Sequence, residues 1–357
     1  MVRNPMLAYI SFSRIIAFIS VVIVLTLSQI SPSLSADILH FPITMESSKD
    51  FSPPESVNLC GEPIPLENRR VWEMLDREFT ISVWNRFQVT LWLKRAGRYF
   101  PYIESRLEEA NMPLDLKYLA VAESSLLPGI RSRKGAVGTW QFLAETARRH
   151  GLRVDRKIDE RRSVQRSTVG AIRYLRSLKE MFGSWTLALA AYNCGEELVE
   201  KEIKEQKVGD YHRLNLPLET ERFIFRIAAI KVVMENPERY GYNIAPENLY
   251  RPIRFDTITV TVDKPLSFIG VAQTMDTDFK VIREMNPHIL GYELPKGKYP
   301  VYVPSGSGSK MANIMNALAS HASYKKEMDP DHSLNVQPVD ISSNVPKRTG
   351  APVSSLK

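Results

Sequence analysis

The chain has 357 residues, 44% hydrophobic and 24% charged, with a formal charge of +7. Such a composition supports a sizeable core and excludes a globally disordered polymer, and the length admits two modest domains. The basic excess is mild and dispersed, which suits an anionic polymer but speaks against nucleic acid as a partner.

Residues 1–36 contain Arg3 and Arg14 but no acid, then the apolar run "IIAFISVVIVLTLSQI", then the small residues "SPSLSA" ending at Ala36. This is the pattern of an export signal, and it directs the chain to the periplasm or cell envelope. An uncleaved membrane anchor is the competing reading, because the run approaches the lower length for spanning a bilayer. The small residues favour cleavage. Losing Arg3 and Arg14 would take the charge from +7 to +5, since 7 minus 2 is 5. The first cysteine is Cys60, too far along for a lipid-modified N-terminus.

Residues 37–65, with "FSPPES" and "GEPIP", have linker composition and no sustained periodicity, so an extended segment is expected. From Leu66 apolar residues recur at helical spacing, with Trp72, Leu75 and Phe79 on one side as a core stripe. Gly97 and Pro101 predict a break. "YIESRLEEANM" and "LDLKYLAVAESS" then read as two short helices separated by Pro113, with Asp115 beginning the second.

Glu123 thus falls at the C-terminal end of an apolar helix. The dipole is negative there and apolar surroundings also oppose ionisation, so its carboxyl is expected to hold its proton near neutral pH and to serve as an acid. A lone Glu at a helix end is most often solvated or hydrogen-bonded. Its significance therefore depends on the motifs that follow.

Gly135 and Gly138 predict a permissive loop leading to Trp140 and Gln141. "TARRHGL", "TVGAIRYLRSLKEMF" and "WTLALAAYN" read as helices, the last ending in Tyr192 and Asn193, whose polar groups can bond sugar hydroxyl or acetamido groups. "LPLETERFIFRIAAIKVVMENPERYGY" is a further helix ending near Asn236. In an exported chain Cys60 and Cys194 can form one disulfide, the alternative for Cys194 being a small buried residue. No metal-ligand spacing occurs, and no cofactor is expected.

"ESSLLPGIRS", "GAVGTWQF", "ALAAYNCGE" and "LPLETERFI", in this order and spacing, resemble the soluble lytic transglycosylase domain of glycoside hydrolase family 23, most closely the D type. The resemblance implies a mainly α, lysozyme-like catalytic domain over 66–250. It implies cleavage of the β-1,4 bond between N-acetylmuramic acid and N-acetylglucosamine in peptidoglycan strands, with Glu123 as the single catalytic acid; the chain is expected to act as a monomer. On the same basis Ser124, Ser132, Gln141, Tyr192, Asn193 and Glu219 contact substrate. Leu126, Ile130 and Phe223 depart from the usual residues, and the bulk of Ile130 bears on glycan preference. A goose-type lysozyme and a non-catalytic cell-wall binding protein are the other readings.

From Arg254 the pattern changes to "ITVTV", two short helical stretches, and "YPVYVP". This resembles a small α+β (βααβ) LysM module over 254–304, with Val271, Ala272, Ile282 and Asn286 at matching positions and "DKPL" in place of the usual entry turn. A glycan binder and a module that packs on the catalytic domain are both open. Residues 305–357 have a composition that cannot supply a core and are expected to be disordered, apart from one short amphipathic helix in "KMANIMNALASHASYKK".

Overall fold

A short hairpin opens the described part of the fold: β1 (Asn58–Leu59) pairs antiparallel with β2 (Glu62–Pro63). The computed structural model describes residues 51–262 and 265–307, so the export segment, residues 37–50 and the tail beyond 307 lie outside the described residues. Val57, Leu59, Cys60 and Ile64 are buried, which corrects the linker expectation for this stretch. The hairpin is anchored by charge: Glu62 accepts hydrogen bonds from the amides of Trp185 (2.5 Å) and Thr186 (3.0 Å).

The helical body comprises α1 (Arg69–Trp84), α2 (Arg86–Glu109), α3 (Leu116–Ser124), α4 (Ala144–Arg149), α5 (Val164–Phe182), α6 (Trp185–Cys194), α7 (Glu196–Gln206) and α8 (Leu218–Glu235). Asn68 caps α1 by accepting from the amides of Arg70 and Val71, and Asn85 both ends α1 and caps α2. α8 is buried along most of its length, with Phe223, Ile224, Ile227, Ala228 and Ile230 in the core, and α1 packs along it. Leu75 and Phe79 face this core as expected, whereas Trp72 is 42% exposed and leaves the expected stripe.

The break predicted at Gly97 and Pro101 does not occur, for α2 runs through both. Gly97 instead lets the 249–250 segment approach closely, since a Cβ there would sit 3.0 Å from the Leu249 Cβ. Pro101 removes one amide donor, and packing holds the helix: Ile103 and Leu107 beyond it are fully buried.

The C-terminal part consists of two strand pairs around two short helices. β3 (Phe255–Val262) pairs antiparallel with β6 (Gly297–Pro304), and between them lie β4 (Leu266–Ser267), α9 (Phe268–Thr274), α10 (Phe279–Met285) and β5 (Glu293–Leu294), the last paired with β4. Its core contains Val260, Phe268, Ile282, Ile289 and Val301, and Ile158 of the helical body is buried in the same cluster. Asn286 closes the module by donating to the Tyr302 carbonyl (2.6 Å) and accepting from the Tyr302 amide (2.8 Å). Among the described residues no helix is long and apolar enough to cross a membrane.

Candidate active site

The last turn of α3 carries the acid. Leu116, Leu119, Ala120 and Val121 are buried and fix the helix in the core, leaving Glu123 at its C-terminal end with partial access to solvent. Among the described residues no hydrogen bond or ion pair reaches its carboxyl. Burial pushes the Glu123 pKa up to about 8, the Arg226 cation opposing this and the Glu219 carboxylate reinforcing it. At pH 7 the group is therefore mainly protonated.

The backbone after Glu123 is strained. Ser125 (φ 54°) and Leu126 (φ 59°) are consecutive non-glycine residues in the left-handed region, a conformation that persists only when its surroundings enforce it. α2 supplies the enforcement. Gln88 Nε2 (2.6 Å) and Trp92 Nε1 (3.1 Å) donate to the Ser125 hydroxyl, and Arg95 donates to its carbonyl (3.0 Å). The sequence reading missed these three residues, and nothing in local pattern distinguishes them from core and surface positions of α2.

Ser124 does not contact the cleft. It is 4% exposed, and its hydroxyl donates to the Thr139 carbonyl (2.8 Å) and the Ala120 carbonyl (3.1 Å). It ties the glycine loop to α3, which corrects the expected sugar contact. That loop, residues 131–142, is a tight turn: the Ser132 amide donates to Ala136 (2.9 Å) and its hydroxyl accepts from the Ala136 amide (3.0 Å). Gly138 needs its φ of +88°, and a Cβ there would lie 1.8 Å from the Arg161 carbonyl oxygen. Gln141 donates to the Gly138 carbonyl (2.8 Å), leaving its amide oxygen clear of any protein partner among the described residues.

α6 brings the expected pair to the loop. Tyr192 donates to the Trp140 carbonyl (2.6 Å), its ring lies 6.1 Å from Phe142 and 5.1 Å from Tyr174, and the Glu123 charge acts on its hydroxyl. Asn193 Oδ1 accepts from the Thr220 hydroxyl (2.9 Å), which directs its amide NH2 elsewhere. At the start of α8, Glu219 pairs with Arg226 (3.0 Å), and Arg226 also reaches Glu78 (3.3 Å), a carboxylate buried in α1 and shared with Arg77 and Arg222. Arg226 is a fourth residue that sequence reasoning missed. Glu123 is thus coupled electrostatically to Tyr192 and Glu219, Asn193 is bonded to Thr220 beside Glu219, and Ser132 and Gln141 lie on the 131–142 loop. No group of His, Cys, Asp or Glu suited to hold a metal occurs among the described residues.

Cys60 and Cys194 are both free thiols, which corrects the proposed bridge. The Cys60 amide is held by Asp115 (2.7 Å), two residues from the Glu62 that caps the N-terminus of α6, while Cys194 is the last residue of that helix. The ends of α6 are about 14 Å apart at the helical rise, against the roughly 7 Å limit between α-carbons of a disulfide. Burial raises the pKa of both thiols.

The site thus combines a carboxyl at a helix end, whose pKa burial raises, with a glycine loop tied to that helix through Ser124 and to Tyr192. Residues 101–215 match the Transglycosylase SLT domain family. Over 275 residues the chain is 29% identical to Membrane-bound lytic murein transglycosylase D from two strains of Escherichia coli, covering 74% of this chain and 60% of those proteins. The chain thus spans 60% of the length of these curated relatives. A protein from Alteromonas sp. named for tributyltin chloride resistance is 33% identical over 123 residues, 34% of this chain and 59% of that one. Among solved structures, lytic transglycosylase Slt from Pseudomonas aeruginosa aligns with a TM-score of 0.31 at 16% identity, covering 43% of this chain and 26% of that one.

Proposed function

We propose that the chain is a peptidoglycan lytic transglycosylase, a lyase that cleaves the β-1,4 bond between N-acetylmuramic acid and N-acetylglucosamine and leaves a 1,6-anhydromuramic end. The observation that carries this reading is the protonated, enclosed carboxyl of Glu123, raised to about 8 in pKa, on a domain matching the SLT family. Glu123 gives its proton to the glycosidic oxygen as the bond from that oxygen to the anomeric carbon breaks. The C6 hydroxyl oxygen of the muramic sugar bonds to the anomeric carbon, and its proton returns to the Glu123 carboxylate. One residue serves as acid and then base, and no water is consumed.

Ser132, Gln141, Asn193 and Glu219 orient sugar, and Tyr192 contributes the wall against which it rests. The nearest rival reading is a hydrolytic goose-type lysozyme, which the proximity of Glu219 to Glu123 favours as a second carboxylate, since ordinary glycosidases use a pair. The Glu219–Arg226 pair argues for a holding role instead. The remaining parts of the reading are export to the periplasm or cell envelope by residues 1–36 and action as a monomer on peptidoglycan strands. The βααβ module is read as LysM-like. Its exposed Tyr292 stacks on Phe279 at 5.2 Å and offers a flat face to a sugar.

Digestion of purified sacculi followed by mass spectrometry tests the proposal. Anhydromuramic ends are expected. Reducing ends carrying added water refute the lyase in favour of hydrolysis, and undigested sacculi refute catalysis altogether.

A further inference from the structure

Among the described residues, the backbone contacts between the βααβ module and the helical body run along a short strap, residues 153–163. Ile158 and Ile289 form an antiparallel bridge. The Leu290 amide donates to the Lys157 carbonyl (2.7 Å), and the Asp159 amide donates to the His288 carbonyl (2.7 Å). Both isoleucine side chains are fully buried, 1% and 0% exposed, in the core of the module. The strap thus completes the module as an added edge.

The other face of the same strap holds the glycine loop. Asp159 grips Arg161 through two bonds, to Nε (2.8 Å) and Nη2 (2.9 Å), and both side chains are under 9% exposed. The third guanidinium nitrogen, Nη1, donates to the carbonyls of Gly135 (3.2 Å) and Phe142 (3.1 Å), the two ends of the turn that carries Gln141. The Arg161 carbonyl lies against Gly138 so closely that no side chain fits between them. From this turn the Thr139 and Trp140 carbonyls accept from Ser124 and Tyr192, the residues flanking Glu123 in sequence and in space. A buried Arg fork of this kind is rigid because its donors are fixed in one plane.

The geometry points to the C-terminal module as a positioning element of the active site. Its 288–290 edge fixes the strap, Asp159 and Arg161 transmit that fixing to the 131–142 loop, and the loop sets Gln141 and the surroundings of Glu123. Asp159 and Arg161 are positioning residues that touch no substrate. As a statement about catalysis this rests on the lytic reading above. As a statement about coupling it does not.

The test uses the full chain and the variants Ile289→Ala and Arg161→Lys. Ile289→Ala loosens the junction from the module side; Arg161→Lys keeps a cation beside Asp159 but removes the fork to Gly135 and Phe142. Amide hydrogen exchange is read over residues 132–142, where the Val137, Gly138 and Gln141 amides are bonded within the loop or to Ile130. Both variants should accelerate exchange there while the amides of α8 stay at parental rates, and in Arg161→Lys the module amides should also be unchanged. Turnover of short soluble glycan strands, too short to reach the module, should fall about 10- to 100-fold in kcat/KM, in line with small misplacements of a catalytic frame. If Ile289→Ala speeds exchange in the module and strap but leaves 132–142 at the parental rate, the module merely packs and the inference is overturned. It is equally overturned if the loss appears on sacculi and not on short strands, because the module then acts as a glycan anchor. Exchange needs no turnover, so coupling observed in a chain that yields no anhydro ends supports the inference and defeats only the lytic reading.

Discussion

Replacing Glu123 by Gln is expected to make the protein more stable as it removes activity, and the size of the gain should depend on pH. In the unfolded chain this carboxyl ionises at about 4.5, and in the folded protein at about 8. The folded value is raised, so the unfolded state loses its proton first. The carboxyl therefore disfavours folding by an amount that is near zero below pH 4.5, grows as pH rises, and levels off above 8. At pH 7 the interval that counts is 7 minus 4.5, or 2.5 units, equivalent to about 3 kcal/mol. Partial contact of Glu123 with solvent makes this an upper figure, and about 1 to 3 kcal/mol is the working range. The amide is nearly isosteric and cannot ionise, so the variant escapes the pH-dependent part. Denaturant unfolding of parent and variant at pH 5 and pH 8 measures it, with the gap between them widening at the higher pH. Glycan cleavage by the parent should decline as pH rises through about 8, and the variant should lose about two to four orders of magnitude in rate. A stability gap that is the same at both pH values would refute the enclosed, protonated carboxyl, whatever the fate of activity.

Gly138→Ala should cost about 1–2 kcal/mol from the left-handed backbone alone and more from the 1.8 Å approach to the Arg161 carbonyl; cleavage should collapse while circular dichroism stays helical, and parental activity would contradict the loop geometry. Glu62→Ala should lower stability by about 1–2 kcal/mol, the worth of a helix N-cap, because Glu62 accepts from the Trp185 and Thr186 amides and the Ser184 hydroxyl. Although burial opposes its ionisation, these donors and Lys179 hold the Glu62 pKa below its ordinary value. The contribution is then present at neutral pH and fades as pH falls through that lowered value, which melting curves of parent and variant across the acid range can follow. Cys60 and Cys194 should both alkylate under denaturing conditions without prior reduction, read by peptide mass; a 60–194 disulfide peptide would contradict the free thiols.

The sequence by itself determined the helical body and the helices on which Glu123, Tyr192 and Asn193 fall. Apolar periodicity, a start at Pro113–Asp115 and a run of small residues are local properties, and they placed Glu123 at a helix end, where an enclosed carboxyl can keep its proton. The same locality explains where the reading departed from the fold. Gly97 and Pro101 are breakers in isolation, but α2 continues through them because Ile103 and Leu107 are buried beyond the proline and the 249–250 segment needs the glycine's space. Ser124 was legible as a hydroxyl beside the acid, not as a donor to Thr139, fifteen residues away. The grip of Gln88, Trp92 and Arg95 on the strained Ser125, the counter-charge of Arg226, and the Asp159–Arg161 clasp between module and loop all join residues distant in sequence. Cys60 and Cys194 show the same limit from the other side, since oxidation chemistry made a bridge plausible and only the packing of the hairpin against the far end of α6 kept them apart. Periodicity records which face of an element is buried, while the partner that face meets is fixed by how the elements pack. The place of Glu123 at a helix end belongs to the first kind of information, and nearly everything that holds it there belongs to the second.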